Sequence, residues 1–70
     1  MDFADRVKFI RKQLGLSQEK FAILLEVSFA TVNRWEKGKA MPNYRTVQKL
    51  EALCKERGIQ YEKQAKEHIK

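Results

Sequence analysis

The chain is poor in the residues from which reactive centres are built. It has one cysteine, Cys54, and one histidine, His68. A single cysteine excludes an intramolecular disulfide and a cysteine-based zinc cluster, and it suits a reducing compartment. There are no phosphate-loop glycines and no clustered carboxylates, so no catalytic constellation can be assembled. Cys54 reads as a small core residue and His68 as a lone polar side chain. An enzyme is not expected, and neither a cofactor nor a metal is implied. No apolar run approaches the roughly twenty residues of a membrane span, and there is no charged-then-apolar leader. The expectation is a cytoplasmic protein. Interleaved exposed aromatics are lacking too, which weighs against single-strand or RNA binding by stacking. There are no internal repeats or low-complexity tracts.

What the chain does have is positive charge: 15 Lys+Arg against 9 Asp+Glu, a net +6 over 70 residues. The resulting isoelectric point near 9.7 lies in the range of nucleic-acid binders. Between positions 34 and 45 stand Arg34, Lys37, Lys39 and Arg45, opposed only by Glu36. A phosphate-tracking surface is expected there. The length suits one small domain, which buries only about 60% of its unfolded surface. An apolar content of 43% supports a globular core.

Taken in order, Asp2 caps a first helix whose apolar stripe is Phe3, Val7, Ile10 and Leu14. Gly15 is a left-handed stop, with Leu16 folding back on the helix it follows. Ser17 caps a second helix from Gln18 to about Leu25. A third starts near Ser28 and ends at Gly38. Pro42 holds Met41 extended, and Asn43 caps a fourth helix from Tyr44 to about Arg57 that stops at Gly58. Its inner stripe is Val47, Leu50, Leu53 and Cys54. Ile59 returns to the core. Tyr61, Ala65 and Ile69 share a helical spacing, so residues 59–70 form either a short fifth helix or a flexible C-terminal tail.

Residues 16–38 organise the rest. Phe21, Ala22, Leu25, Val27, Val32 and Trp35 face inward; Ser28, Phe29, Ala30, Asn33, Arg34 and Lys37 face outward. Two helices joined by so short a turn cross steeply, and the small Ala22 lets their backbones approach. A helix held that way can enter a major groove.

This stretch resembles the helix-turn-helix of phage repressor and Cro-like regulators, the XRE type. The resemblance is carried by Leu16-Ser17-Gln18, Phe21-Ala22, Leu25, Val27-Ser28, Val32 and Trp35-Glu36-Lys37-Gly38. It extends back to Ile10-Arg11 and forward through Pro42 to about Gly58. It implies an all-α, compact four- to five-helix bundle of the lambda-repressor-like type. The DNA-binding domain is then residues 1–58, with its motif at 17–38. One position departs: relatives carry Gly in the turn where this chain has Glu26, and a left-handed Glu is penalised relative to Gly.

The resemblance also implies site roles. Ser28, Phe29, Ala30, Asn33 and Arg34 match the base-reading face: Arg34 pairs with guanine or contacts phosphate, and Asn33 pairs with an adenine edge. Phe29 and Ala30 meet thymine methyls, the alternative for Phe29 being packing or a dimer contact. Gln18 matches a phosphate contact at a helix start, an ordinary polar surface residue being the alternative. Lys37, Lys39, Tyr44 and Arg45 are phosphate clamps or solvated groups. Arg11 and Glu36 match a structural salt bridge joining the first helix to the third. Trp35 is core.

The function expected is sequence-specific double-stranded DNA binding by a transcriptional regulator, a repressor. One such domain buries only about 600–1,000 Å² on DNA, so a homodimer on a two-fold operator is expected. A further C-terminal domain or a protein partner outside this chain is compatible with that. The alternative is a protein-interaction module of the same fold, antitoxin-like or coactivator-like.

Overall fold

The computed structural model describes residues 2–60. Four helices follow one another: α1 (Phe3–Gln13), α2 (Gln18–Leu25), α3 (Phe29–Glu36) and α4 (Tyr44–Arg57), with no strand among the described residues. Of the fifth helix or tail expected at 59–70, residues 61–70 lie outside the described residues.

Each helix begins on a side-chain cap. Asp2 accepts from the Asp5 amide at 2.9 Å, Ser17 from Lys20 at 3.1 Å, Ser28 from Thr31 at 3.1 Å and Asn43 from Thr46 at 2.9 Å. Each satisfies an otherwise orphaned N–H and stabilises its helix by about 1 kcal/mol. Ser28 and Lys37 flank α3 instead of belonging to it, because Ser28 is extended (φ −83°, ψ 158°) to cap the first turn.

All four helices also end alike. The chain turns left-handed, and the next amide reaches back five residues: Leu16 to the Arg11 carbonyl, Val27 to Ala22, Lys39 to Arg34 and Ile59 to Cys54. This closure needs a positive φ, which Gly supplies at 15, 38 and 58. At the turn between α2 and α3 Glu26 supplies it, with φ 62° and ψ 42°. In three closures the residue that folds back is apolar (Leu16, Val27, Ile59) and packs against the core. In the fourth it is the exposed Lys39.

The core draws on every helix: Val7 and Ile10, Phe21, Ala22 and Leu25, Val32 and Trp35, Leu50, Leu53 and Cys54. Ala22 is 2% exposed within this core, and α2 and α3 pack together. Phe3 meets the Trp35 ring edge-to-face, with centroids 6.2 Å apart. Val47 is half-buried, since the first turn of α4 emerges from the core beside exposed Tyr44 and Arg45. Val27 is half-buried as well, in the turn it fills.

Candidate nucleic-acid interface

The site is assembled around Glu36, the acid on an otherwise basic edge. Arg11 Nε donates to Glu36 Oε2 at 2.7 Å and Nη2 donates to Oε1 at 3.1 Å, a two-pronged pair between α1 and α3. The third guanidinium nitrogen, Nη1, donates to the Leu16 carbonyl at 2.9 Å. Arg11 therefore holds both α3 and the segment that leads into α2. The pair is well shielded, with side-chain exposures of 16% and 4%. Burial pushes the Glu36 carboxyl up, but hydrogen bonds from Arg11 and Gln18, with the charges of Arg11 and Lys8, outweigh it and hold the group below the ordinary carboxylate range. Its hydrogen bond to Glu36 likewise raises the Arg11 pKa, so both partners stay ionised at neutral pH.

Gln18, first residue of α2, extends this pair outward. Its Nε2 donates to Glu36 Oε1 at 3.0 Å, and its Oε1 accepts from Asn33 Nδ2 at 3.2 Å. The start of α2 is thus tied to the middle of α3, both side chains being half-buried. Asn33 and Glu36 are three apart on one helix, the spacing that puts them on one face.

Around this line lie exposed residues. Ser28, Phe29, Ala30 and Arg34 stand on the head and outer face of α3, with Phe29 at 51% exposure. Lys37 and Lys39 are exposed beyond its end, and Arg34 Nη2 donates to the Lys39 carbonyl in a long 3.4 Å contact. Ser28 Oγ shares a 2.9 Å hydrogen bond with Thr31 Oγ1. Tyr44 and Arg45 are exposed at the start of α4, where the Tyr44 hydroxyl accepts from Gln48 at 3.0 Å. No group of acids, Cys or His among the described residues is arranged to hold a metal ion, and no described helix is long and apolar enough to cross a membrane.

The helix-turn-helix family profile matches residues 7–61, most of the chain and all of the site just described. This protein belongs to the XRE-type helix-turn-helix family. It is also 38% identical, over 49 residues, to Antitoxin HigA-2 of Vibrio cholerae serotype O1. That similarity covers 70% of this chain and 47% of the relative, so the chain spans about half the length of the curated protein it matches. No solved structure gives a significant match. Membership of the family supports a DNA-binding regulator rather than an enzyme.

Within this helix-turn-helix protein the structure brings Arg11, Gln18, Asn33 and Glu36 into one connected set. Arg34 and Lys39 touch, while Tyr44 and Arg45 stand apart on the next helix. Two participants escaped the sequence reading. Thr31 shares the Ser28 hydroxyl, and its position three residues after the cap was a visible signal. Lys49, on α4, donates to Glu26 Oε1 at 2.7 Å and to the Leu25 carbonyl at 3.5 Å, clamping the left-handed turn. The hydrogen bond and charge of Lys49 lower the Glu26 pKa. Nothing in the local pattern announces a contact across 23 residues.

Proposed function

We propose that the protein binds double-stranded DNA sequence-specifically as a homodimeric repressor, with α3 in the major groove of each half of a two-fold operator. The observation that carries this reading is the hydrogen bond from Asn33 to Gln18. It makes the start of α2 and the outer face of α3 one surface, bordered by exposed Arg34, Lys37 and Lys39. Ser28, Phe29, Ala30, Asn33 and Arg34 read bases, and Gln18, Lys37, Lys39, Tyr44 and Arg45 hold phosphates. The Arg11–Glu36 pair fixes the angle at which α3 is presented. The setting is cytoplasmic, and half-sites lie about one helical turn apart.

The test is an anisotropy titration of a duplex selected by the wild-type protein, repeated with Arg34→Glu. The substitution removes a guanine contact and adds a repulsive charge, so affinity falls roughly 100-fold or more. The thermal midpoint stays the same, since Arg34 is exposed. Binding within about threefold of wild type would refute the assignment.

A second reading, protein-partner binding, is favoured by the opposite side of α2. Ile23 is 74% exposed and Leu24 42%, and Leu24 borders a groove with Lys49, Ala52 and Glu56 of α4. The relative's name, antitoxin, is compatible with it. On that reading charge reversal at Arg34 leaves function intact.

A further inference from the structure

The hydrogen bonds at the start of α2 have a direction. Glu36 is a carboxylate paired with arginine, and a carboxylate only accepts. The Gln18 amide must therefore turn its NH2 to Glu36, which leaves its carbonyl oxygen for Asn33. Asn33 must then turn its own NH2 to Gln18. One Asn33 N–H is consumed, and Oδ1 accepts no hydrogen bond among the described residues. What Asn33 has left to offer is one acceptor and one donor. Adenine presents the complement in the major groove, a donor at N6 and an acceptor at N7. With the amide reversed, Asn33 would offer two donors, which match O6 and N7 of guanine.

We propose that Glu36, acting through Gln18, fixes the orientation of the Asn33 amide and so commits Asn33 to adenine over guanine at one position of each half-site. Glu36 and Gln18 are positioning residues here; only Asn33 touches the base. This rests on the DNA-reading function proposed above and adds which base one side chain takes and what makes it do so.

The test measures relative affinities for a selected operator with each base in turn at every position, using wild type, Asn33→Ala and Gln18→Met. Asn33→Ala identifies the position, by flattening preference there alone. At that position wild type prefers adenine over guanine by roughly tenfold or more. Gln18→Met keeps the side-chain length but cuts the chain of amides, so the preference falls below about threefold there while other positions keep theirs. A purely structural role for Gln18 would lower affinity for all operators alike. Gln18→Ala repeats the measurement if the methionine variant does not fold. A Gln18 variant that keeps the adenine preference, an Asn33-dependent position that is not adenine, or an Asn33→Ala profile unchanged at every position overturns the proposal. If wild type selects no motif, the DNA-reading function itself has failed.

Discussion

Replacing Arg11 with methionine tests the joint that sets α3 against α1. Methionine fills much of the space of the arginine stem but returns none of its three hydrogen bonds to Glu36 and the Leu16 carbonyl. The Glu36 side chain, 4% exposed, keeps the hydrogen bond from Gln18 and the charge of Lys8. Removing one partner of a shielded ion pair costs about 3 kcal/mol, mostly through the charge left behind. A chain of this size has roughly 3–10 kcal/mol of stability in all, so the variant is close to unfolding. The expected fall in thermal midpoint is about 10–20 °C. Thermal melts followed by circular dichroism across a range of pH supply the assay. The folded carboxyl of Glu36 titrates below its ordinary value of 4.5. A lowered folded pKa stabilises fully above the unfolded value, and the contribution is lost as pH falls through the folded one. The gap between wild type and variant is therefore widest at neutral pH and narrows on acidification, as the buried carboxyl in each protein takes up a proton. A midpoint within about 3 °C of wild type, with a gap indifferent to pH, would refute the reasoning and reduce the pair to an ordinary surface contact.

Two further outcomes follow from the backbone and the core. Glu26→Gly removes the strain of a left-handed glutamate and loses only an exposed contact to Lys49, so it raises the thermal midpoint by a few degrees; a lowered midpoint would mean that the Lys49 clamp outweighs the strain. Burial, with Glu51 adding to it, pushes the Cys54 thiol up, so in the native protein the thiol reacts with a disulfide reagent far more slowly than in denaturant. Equal rates in the two conditions would contradict the packing described for α4.

Much of this fold was legible because its punctuation is local. Asp2, Ser17 and Asn43 were readable as caps and bond three residues ahead, and Gly15 and Gly58 stop their helices where the chain needs a left-handed residue. The inward stripes followed from the same 3.6-residue spacing. Glu26 was readable as a misfit by the same logic, and it does take the left-handed conformation. The contacts of the candidate interface were less legible. Whether Gln18 points at solvent or turns to meet Glu36 and Asn33 depends on how closely three helices approach, which no local pattern encodes. The reach of Lys49 to the turn is of the same kind.

The most direct test of the central claim is selection from a pool of random duplexes by the wild-type protein at two salt concentrations, followed by sequencing. The account predicts an enriched two-fold motif, half-sites about one helical turn apart, and retention that falls steeply with salt. Salt-sensitive retention without an enriched motif would contradict base reading by α3. No retention even at low salt would remove DNA as the ligand and favour the protein-partner reading.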